Sequence, residues 1–172
     1  MGLDVLNVTV NQDAPDSRFL AWQGQGQWTR QIADDTSFLV RGGVQLATTL
    51  LSSERFGLGG VATLRGYRQD LLLTDNAAFA SAEVRLPIAR FNRINSVIQL
   101  APFFDLGTAW NNDDDTEIES NTLASVGLGL RLSMFNSFIA RFDWGIPLVA
   151  VDLEEKTWQE NGLHFSVEYS PF

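Results

Sequence analysis

The sequence predicts an all-β chain whose eight antiparallel strands follow one another as an up-and-down transmembrane β-barrel. Three observations carry that expectation. Apolar residues recur with period two through most of the chain, which marks strands with one greasy and one polar or small face. The connections between strands alternate between short and long, as in barrels with tight periplasmic turns and extended external loops. A membrane helix would need a run of about 18 apolar residues. The longest nearly uncharged apolar stretch, 94–104, is broken by Asn95, Ser96 and Gln99.

In chain order the strands are expected at 2–10, 18–32, 36–50, 75–88, 96–110, 121–134, 137–149 and 159–170. The fourth sets Ala80, Ala82, Val84 and Leu86 against Ser81, Glu83 and Arg85. In the sixth, Val126, Leu128, Leu130, Leu132 and Met134 oppose Ser125, Gly127, Gly129, Arg131 and Ser133. The seventh opposes Phe138, Ala140, Phe142 and Trp144 to Arg141 and Asp143, and the eighth opposes Leu163, Phe165, Val167 and Tyr169 to His164, Ser166 and Glu168. Many of these exceed the roughly 9–11 residues needed to cross a bilayer at a tilt. No segment reads as helix.

Among the connections, 33–35 and 135–136 are short, 11–17 and 89–95 medium, and 51–74, 111–120 and 150–158 long. Placing the short turns on the periplasmic rim puts both chain ends there too, as an even strand number requires. Phe19, Trp22, Trp28, Phe79, Trp110, Phe138, Trp144, Trp158 and Tyr169 lie near strand ends, where they suit interfacial girdles. An ordinary aromatic β-core would look the same. Phe172 ends the chain, as an aromatic does in many outer-membrane barrels, although Pro171 interrupts the preceding alternation.

Composition narrows the chemistry. At 172 residues and 45% hydrophobic, the chain is one domain's worth. The absence of cysteine removes disulfides, thiolate metal sites and a cysteine nucleophile, and a single histidine removes most His-based schemes. A formal charge of −9 argues against nucleic acid, whose phosphates need clustered Lys and Arg. With no charged-then-apolar leader at its start, Met1-Gly2 reads as a start placed on a fragment.

The stretch 56–70 contains Arg65-Gly66-Tyr67, the next strand carries Phe79-Ala80-Ser81-Ala82-Glu83-Val84-Arg85, and the one after carries Pro102-Phe103-Phe104-Asp105-Leu106-Gly107. These three motifs, in this order, resemble those of the superfamily that includes two-partner secretion transporters and the central subunit of the barrel-assembly machinery. The resemblance extends over essentially the whole chain, since Asp143-Trp144-Gly145-Ile146-Pro147-Leu148 and Phe172 are similar to the end of a haemolysin or haemagglutinin secretion-type transporter, in a cyanobacterial-like form. It implies that 1–172 is the C-terminal half of a 16-stranded barrel of the bacterial outer membrane, preceded by periplasmic domains. It further implies a parent that handles an unfolded polypeptide substrate within a lipid bilayer, with no enzymatic step and no cofactor.

In such proteins the loop bearing the tripeptide folds back into the barrel. The resemblance therefore implies that Arg65, on loop 51–74, meets Glu83 and Asp105. Period two supports this independently by placing both acids on the polar faces of their strands. A guanidinium forks well onto a carboxylate, and such a pair in a partly desolvated lumen fixes a conformation more than it adds stability. Gly66 would allow a tight turn close to the wall, and Tyr67 could pack against Gly107 or neighbouring lumen side chains. The bland reading makes the tripeptide an exposed turn and the acids a solvated face.

Other clusters say less. Asp113-Asp114-Asp115 with Glu117 and Glu119 matches no calcium loop and reads as an acidic external loop. His164 and Glu168 share a strand face about 13 Å apart, too far for an acid–base pair. Arg41, Arg85, Arg131 and Arg141 among Asp105, Asp143 and Glu168 read as a charge network in a polar lumen, and 57–60 is too short for a phosphate loop.

Besides polypeptide transport, two further classes fit: a small passive pore or structural anchor, and a lipocalin-like carrier with an apolar inside and a polar outside. Size separates two states of this chain. An eight-stranded barrel is just filled by its own side chains, so a closed monomer must leave loop 51–74 outside, with Arg65 away from Asp105 and Glu83. Two copies paired edge to edge would make sixteen strands with room for the loop, and lipid tolerates no open edge. The monomeric closure, needing no partner, is the expectation.

Overall fold

The computed structural model describes residues 7–10, 19–112, 121–135, 137–151 and 162–170. Ten strands occur among them: β1 Asn7–Val10, β2 Leu20–Ala33, β3 Thr36–Ala47, β4 Phe56–Leu58, β5 Leu72–Thr74, β6 Asn76–Phe91, β7 Ser96–Trp110, β8 Thr122–Met134, β9 Phe138–Pro147 and β10 Leu163–Tyr169. Eight form one antiparallel sheet in the order β1-β2-β3-β6-β7-β8-β9-β10, so each strand pairs with its neighbour in the chain, with β4 and β5 set aside in the long loop. This is the predicted meander, with boundaries shifted by a few residues. Two differences are larger. β6 runs to Phe91 before a 3-10 turn at Asn92–Ile94, shortening the connection expected at 89–95, and the loop 51–74 carries the β4–β5 hairpin.

The sheet alternates as the sequence does. Along β7, Ala101, Phe103, Asp105, Gly107 and Ala109 are buried on the concave face, whereas Phe104, Leu106 and Trp110 are exposed on the convex one. Val126, Leu128 and Leu130 of β8 are exposed while Ser125, Gly129 and Arg131 are buried. The convex band continues through Phe142, Trp144 and Ile146 to Phe165 and Val167. In water such a band would be a liability, whereas in lipid it is the outer wall. A lipocalin-like carrier needs the reverse, so that reading is overturned. Trp22, Trp28, Trp110, Trp144 and Tyr169 stand exposed with the apolar band. Phe79 does not belong with them: it turns inward, its ring 6.3 Å from that of Phe56. The girdle residue Trp158, the acidic run 113–119 and Phe172 lie outside the described residues.

Pro87 lies at a bulge between β6 and β7, and Pro147 ends β9. The hydrophobic core is formed between the inserted loop and the concave wall, by Phe56, Leu58, Leu64 and Tyr67 from the loop against Ala77, Ala109 and Leu123.

Among the described residues β1 pairs only with β2 and β10 only with β9, so the expected eight-stranded closure does not occur. The loop also lies inside the curve of the sheet, not outside it. Both departures have one cause. A wall curled tightly enough to close on eight strands has no room for a loop, and here the loop keeps its place and the sheet stays open.

Candidate functional site

The loop enters the concave side through β4 and returns through β5, and its tip carries the tripeptide. Thr63 holds the approach: its hydroxyl donates to the Gly59 carbonyl at 2.9 Å and accepts the Gly59 N–H at 2.8 Å. Two residues on, Arg65 is 3% exposed, and all five guanidinium N–H groups have acceptors on three strands. Nε and Nη2 each reach Asp105 at 2.9 Å, a bidentate fork. Nη2 also donates to Ser81 Oγ at 3.0 Å, and Nη1 to Glu83 Oε2 and to Asp143 Oδ1, the latter at 3.5 Å. The Arg65 backbone N–H adds a bond to Asp105 Oδ2 at 3.0 Å, and the guanidinium lies 3.5 Å from the centre of the Phe103 ring.

Strand register explains the convergence. Ser81 faces Asp105 across β6–β7, and Asp105 faces Ser125 across β7–β8, so one rung of the ladder lies under the arginine. Ser81 also donates to Asp105 Oδ1 at 2.6 Å. One step along, Glu83 faces Phe103, which puts the second carboxylate beside the aromatic platform. Arg131 ties the far side, donating to Glu83 at 3.0 Å and Asp143 at 2.7 Å, while Arg85 donates to Glu83 at 2.8 Å. Three carboxylates thus meet Arg65, Arg85 and Arg131, and the cluster is close to neutral. Removing one member would leave an uncompensated buried charge, which is why such clusters define a geometry.

The expectation that Arg65 stands apart from the lumen acids of this chain is therefore overturned. Gly66 has a φ of 99°, and a Cβ there would lie 3.1 Å from the Gly145 carbonyl carbon and 3.1 Å from Ser125 Cβ. The loop backbone rests directly on the wall. Tyr67 packs not on Gly107 but within the core of loop and concave-face side chains, with Leu58, Leu64, Ala77, Ala109 and Leu123. Its hydroxyl has one proton, which it donates to the Ala124 carbonyl at 2.8 Å with the Val149 carbonyl at 3.1 Å as the alternative acceptor, and it accepts the Val149 N–H at 3.2 Å. Gly107 receives Leu64 and Leu58 instead: a Cβ there would meet their Cδ1 atoms at 2.6 and 3.0 Å.

Sequence reasoning placed Arg131 and Asp143 in the lumen without linking them to Arg65, a step that needs the register. It missed a second cluster at the base of the loop. Asp75, 1% exposed, accepts the N–H groups of Leu50 at 3.0 Å and Asn112 at 3.3 Å, with Arg55 at 3.5 Å. Asn76 accepts the Ala47 N–H at 2.8 Å and donates to Asn112 at 3.0 Å. No pattern announces this cluster, because its donors are backbone groups from distant segments.

With this geometry established, the comparisons with known proteins are specific. No curated protein matches. Among solved structures, CdiB from Escherichia coli aligns with a TM-score of 0.69 at 22% identity, over 89% of this chain and 27% of CdiB. The chain thus spans about a quarter of that protein's length. The Omp85 superfamily domain matches residues 5–169, nearly the full length. With that match over an antiparallel sheet of lipid-facing strands, the chain belongs to the Omp85 superfamily of bacterial outer-membrane β-barrels, a family of protein transport and not of enzymes.

Proposed function

We propose that the protein translocates an unfolded polypeptide across the outer membrane, or helps insert one into it, in the manner of a two-partner secretion transporter of the haemolysin or haemagglutinin type. In this reading 1–172 is the C-terminal half of a sixteen-stranded barrel, and Arg65-Gly66-Tyr67 sets the position of the loop that occupies its lumen. The observation that carries it is the Arg65 guanidinium, which leaves the loop tip and commits all five of its N–H groups to β6, β7 and β9. A wall already held by its own ladders does not need that contact. A loop that must take one defined position beside a passing chain does.

Breaking a buried ion pair by removing one partner costs about 3–5 kcal/mol, which shifts a two-state loop by more than about a hundredfold. Arg65→Ala in the full-length transporter is expected to depress secretion of its substrate while the barrel still folds, as judged by heat-modifiable migration. Arg65→Lys is expected to be impaired as well, because an ammonium cannot fork onto Asp105 and still reach Glu83. Wild-type secretion by both variants would return the tripeptide to the status of an ordinary turn.

A further inference from the structure

Below the inserted loop the concave face leaves a cavity of about 510 Å³ that the Arg65 cluster does not fill. Five arginines line it, Arg41, Arg65, Arg85, Arg131 and Arg141, against two carboxylates, Glu83 and Asp143. Asp105 neutralises the Arg65 that it forks, so the lining keeps an excess of two positive charges in a chain whose formal charge is −9. The sign of the protein is inverted at this one place, and a cleft between low-dielectric walls concentrates such a field.

Two further features show that the excess is not internally compensated. Arg131 and Arg141 stand directly opposite each other on β8 and β9, and of the two only Arg131 is paired among the described residues, to Glu83 and Asp143. Arg141 makes no ion pair among the described residues, and Arg131 Nε is buried without a hydrogen-bond partner. Arg41, on β3, has the Val61 carbonyl at 2.9 Å and no carboxylate in contact among the described residues. Leu39, with Val61 and Ala62 of the loop, adds apolar surface beside these cations, which a polypeptide segment can cover and a bare inorganic anion cannot.

We infer that this cavity is a docking site for acidic stretches of polypeptide, whose carboxylates are received by Arg41 and Arg141. The inference rests on the transport reading above and adds to it the chemistry that the lumen prefers. Residues outside the Arg65–Asp105 fork carry it: a guanidinium with no protein carboxylate is free to fork onto one brought by a substrate.

The test uses the full-length protein in detergent micelles and three dye-labelled decapeptides, of glutamate, glutamine and lysine, followed by fluorescence anisotropy. The glutamate peptide should bind most tightly, and less tightly as salt rises. Arg41→Gln with Arg141→Gln should weaken it by about tenfold, as expected for two partly screened charge contacts. The Lys pair at the same positions should restore most of the affinity, which also shows that the sites tolerate substitution. Equal binding of the glutamate and glutamine peptides, or indifference to the Gln pair, overturns the proposal. Displacement of the glutamate peptide by inorganic phosphate at equal charge would assign the cavity to small anions and overturn it too. Secretion that still depends on Arg65, with no peptide preference, sinks this inference alone. Selective peptide binding, with secretion indifferent to Arg65, sinks the transport reading alone.

Discussion

Arg65 and Tyr67 are neighbours in the chain, yet they hold different things. The arginine grips side chains in the middle of the wall, whereas the tyrosine hydroxyl grips backbone where β9 has just ended at Pro147. There the hydroxyl takes the part of a strand neighbour, accepting one N–H and donating its one proton to a facing carbonyl. Tyr67→Phe keeps the ring in the core and removes only this. We expect a loss of about 1–2 kcal/mol in urea unfolding from vesicles, the cost of leaving the Val149 N–H without its partner. An unchanged midpoint would show that the neighbouring loop replaces the hydroxyl. Asp105 and Glu83 were readable as inward-facing acids from alternation alone. Ser81 and Phe103 were not readable as partners of Arg65, because that role depends on which residues stand opposite on adjacent strands.

At the scale of elements, loop and wall meet backbone to backbone. Gly145, on β9, faces the tripeptide: a Cβ there would lie 2.7 Å from the Arg65 carbonyl carbon and 2.7 Å from Gly66 Cα. An alanine suits an extended strand, so Gly145→Ala strains the loop contact and not the wall. We expect a barrel that folds and migrates as wild type but whose loop becomes sensitive to protease added outside. A protected loop would show that the wall yields instead. The outer face of the strands obeys a separate rule. Leu130 lies within the exposed apolar band of β8. Leu130→Arg should destabilise folding in a bilayer by roughly 2–4 kcal/mol if the residue sits near the midplane. Folding titrations in lipid vesicles read that change, and an effect near zero would move Leu130 to the rim or out of the lipid.

For the whole molecule the decisive quantity is curvature. The loop and the core it forms with Ala77, Ala109 and Leu123 hold the sheet open wider than eight strands can close around. Among the described residues both outer strands, β1 and β10, therefore have a partner on one side only, and lipid does not tolerate an open edge. The 172-residue chain refolded alone in detergent is expected to associate through these edges, and sedimentation should report an oligomer. A stable monomer with a protease-accessible loop would mean that the sheet can close by evicting it.

Alternation along single strands was enough to determine the eight-strand meander, the apolar outer band and the inward direction of Arg41, Glu83, Asp105, Arg131 and Asp143, because strand periodicity is a local property of the chain. Motif order was enough to point to the family. Only the tertiary structure decided the rest: that the loop lies inside an open sheet, that Tyr67 bonds the β8–β9 rim while Leu58 and Leu64 cover Gly107, and that Asp75 locks the base of the loop. Each of these depends on register and curvature across segments far apart in sequence, and a one-residue slip of any ladder would turn its side chains to the other face.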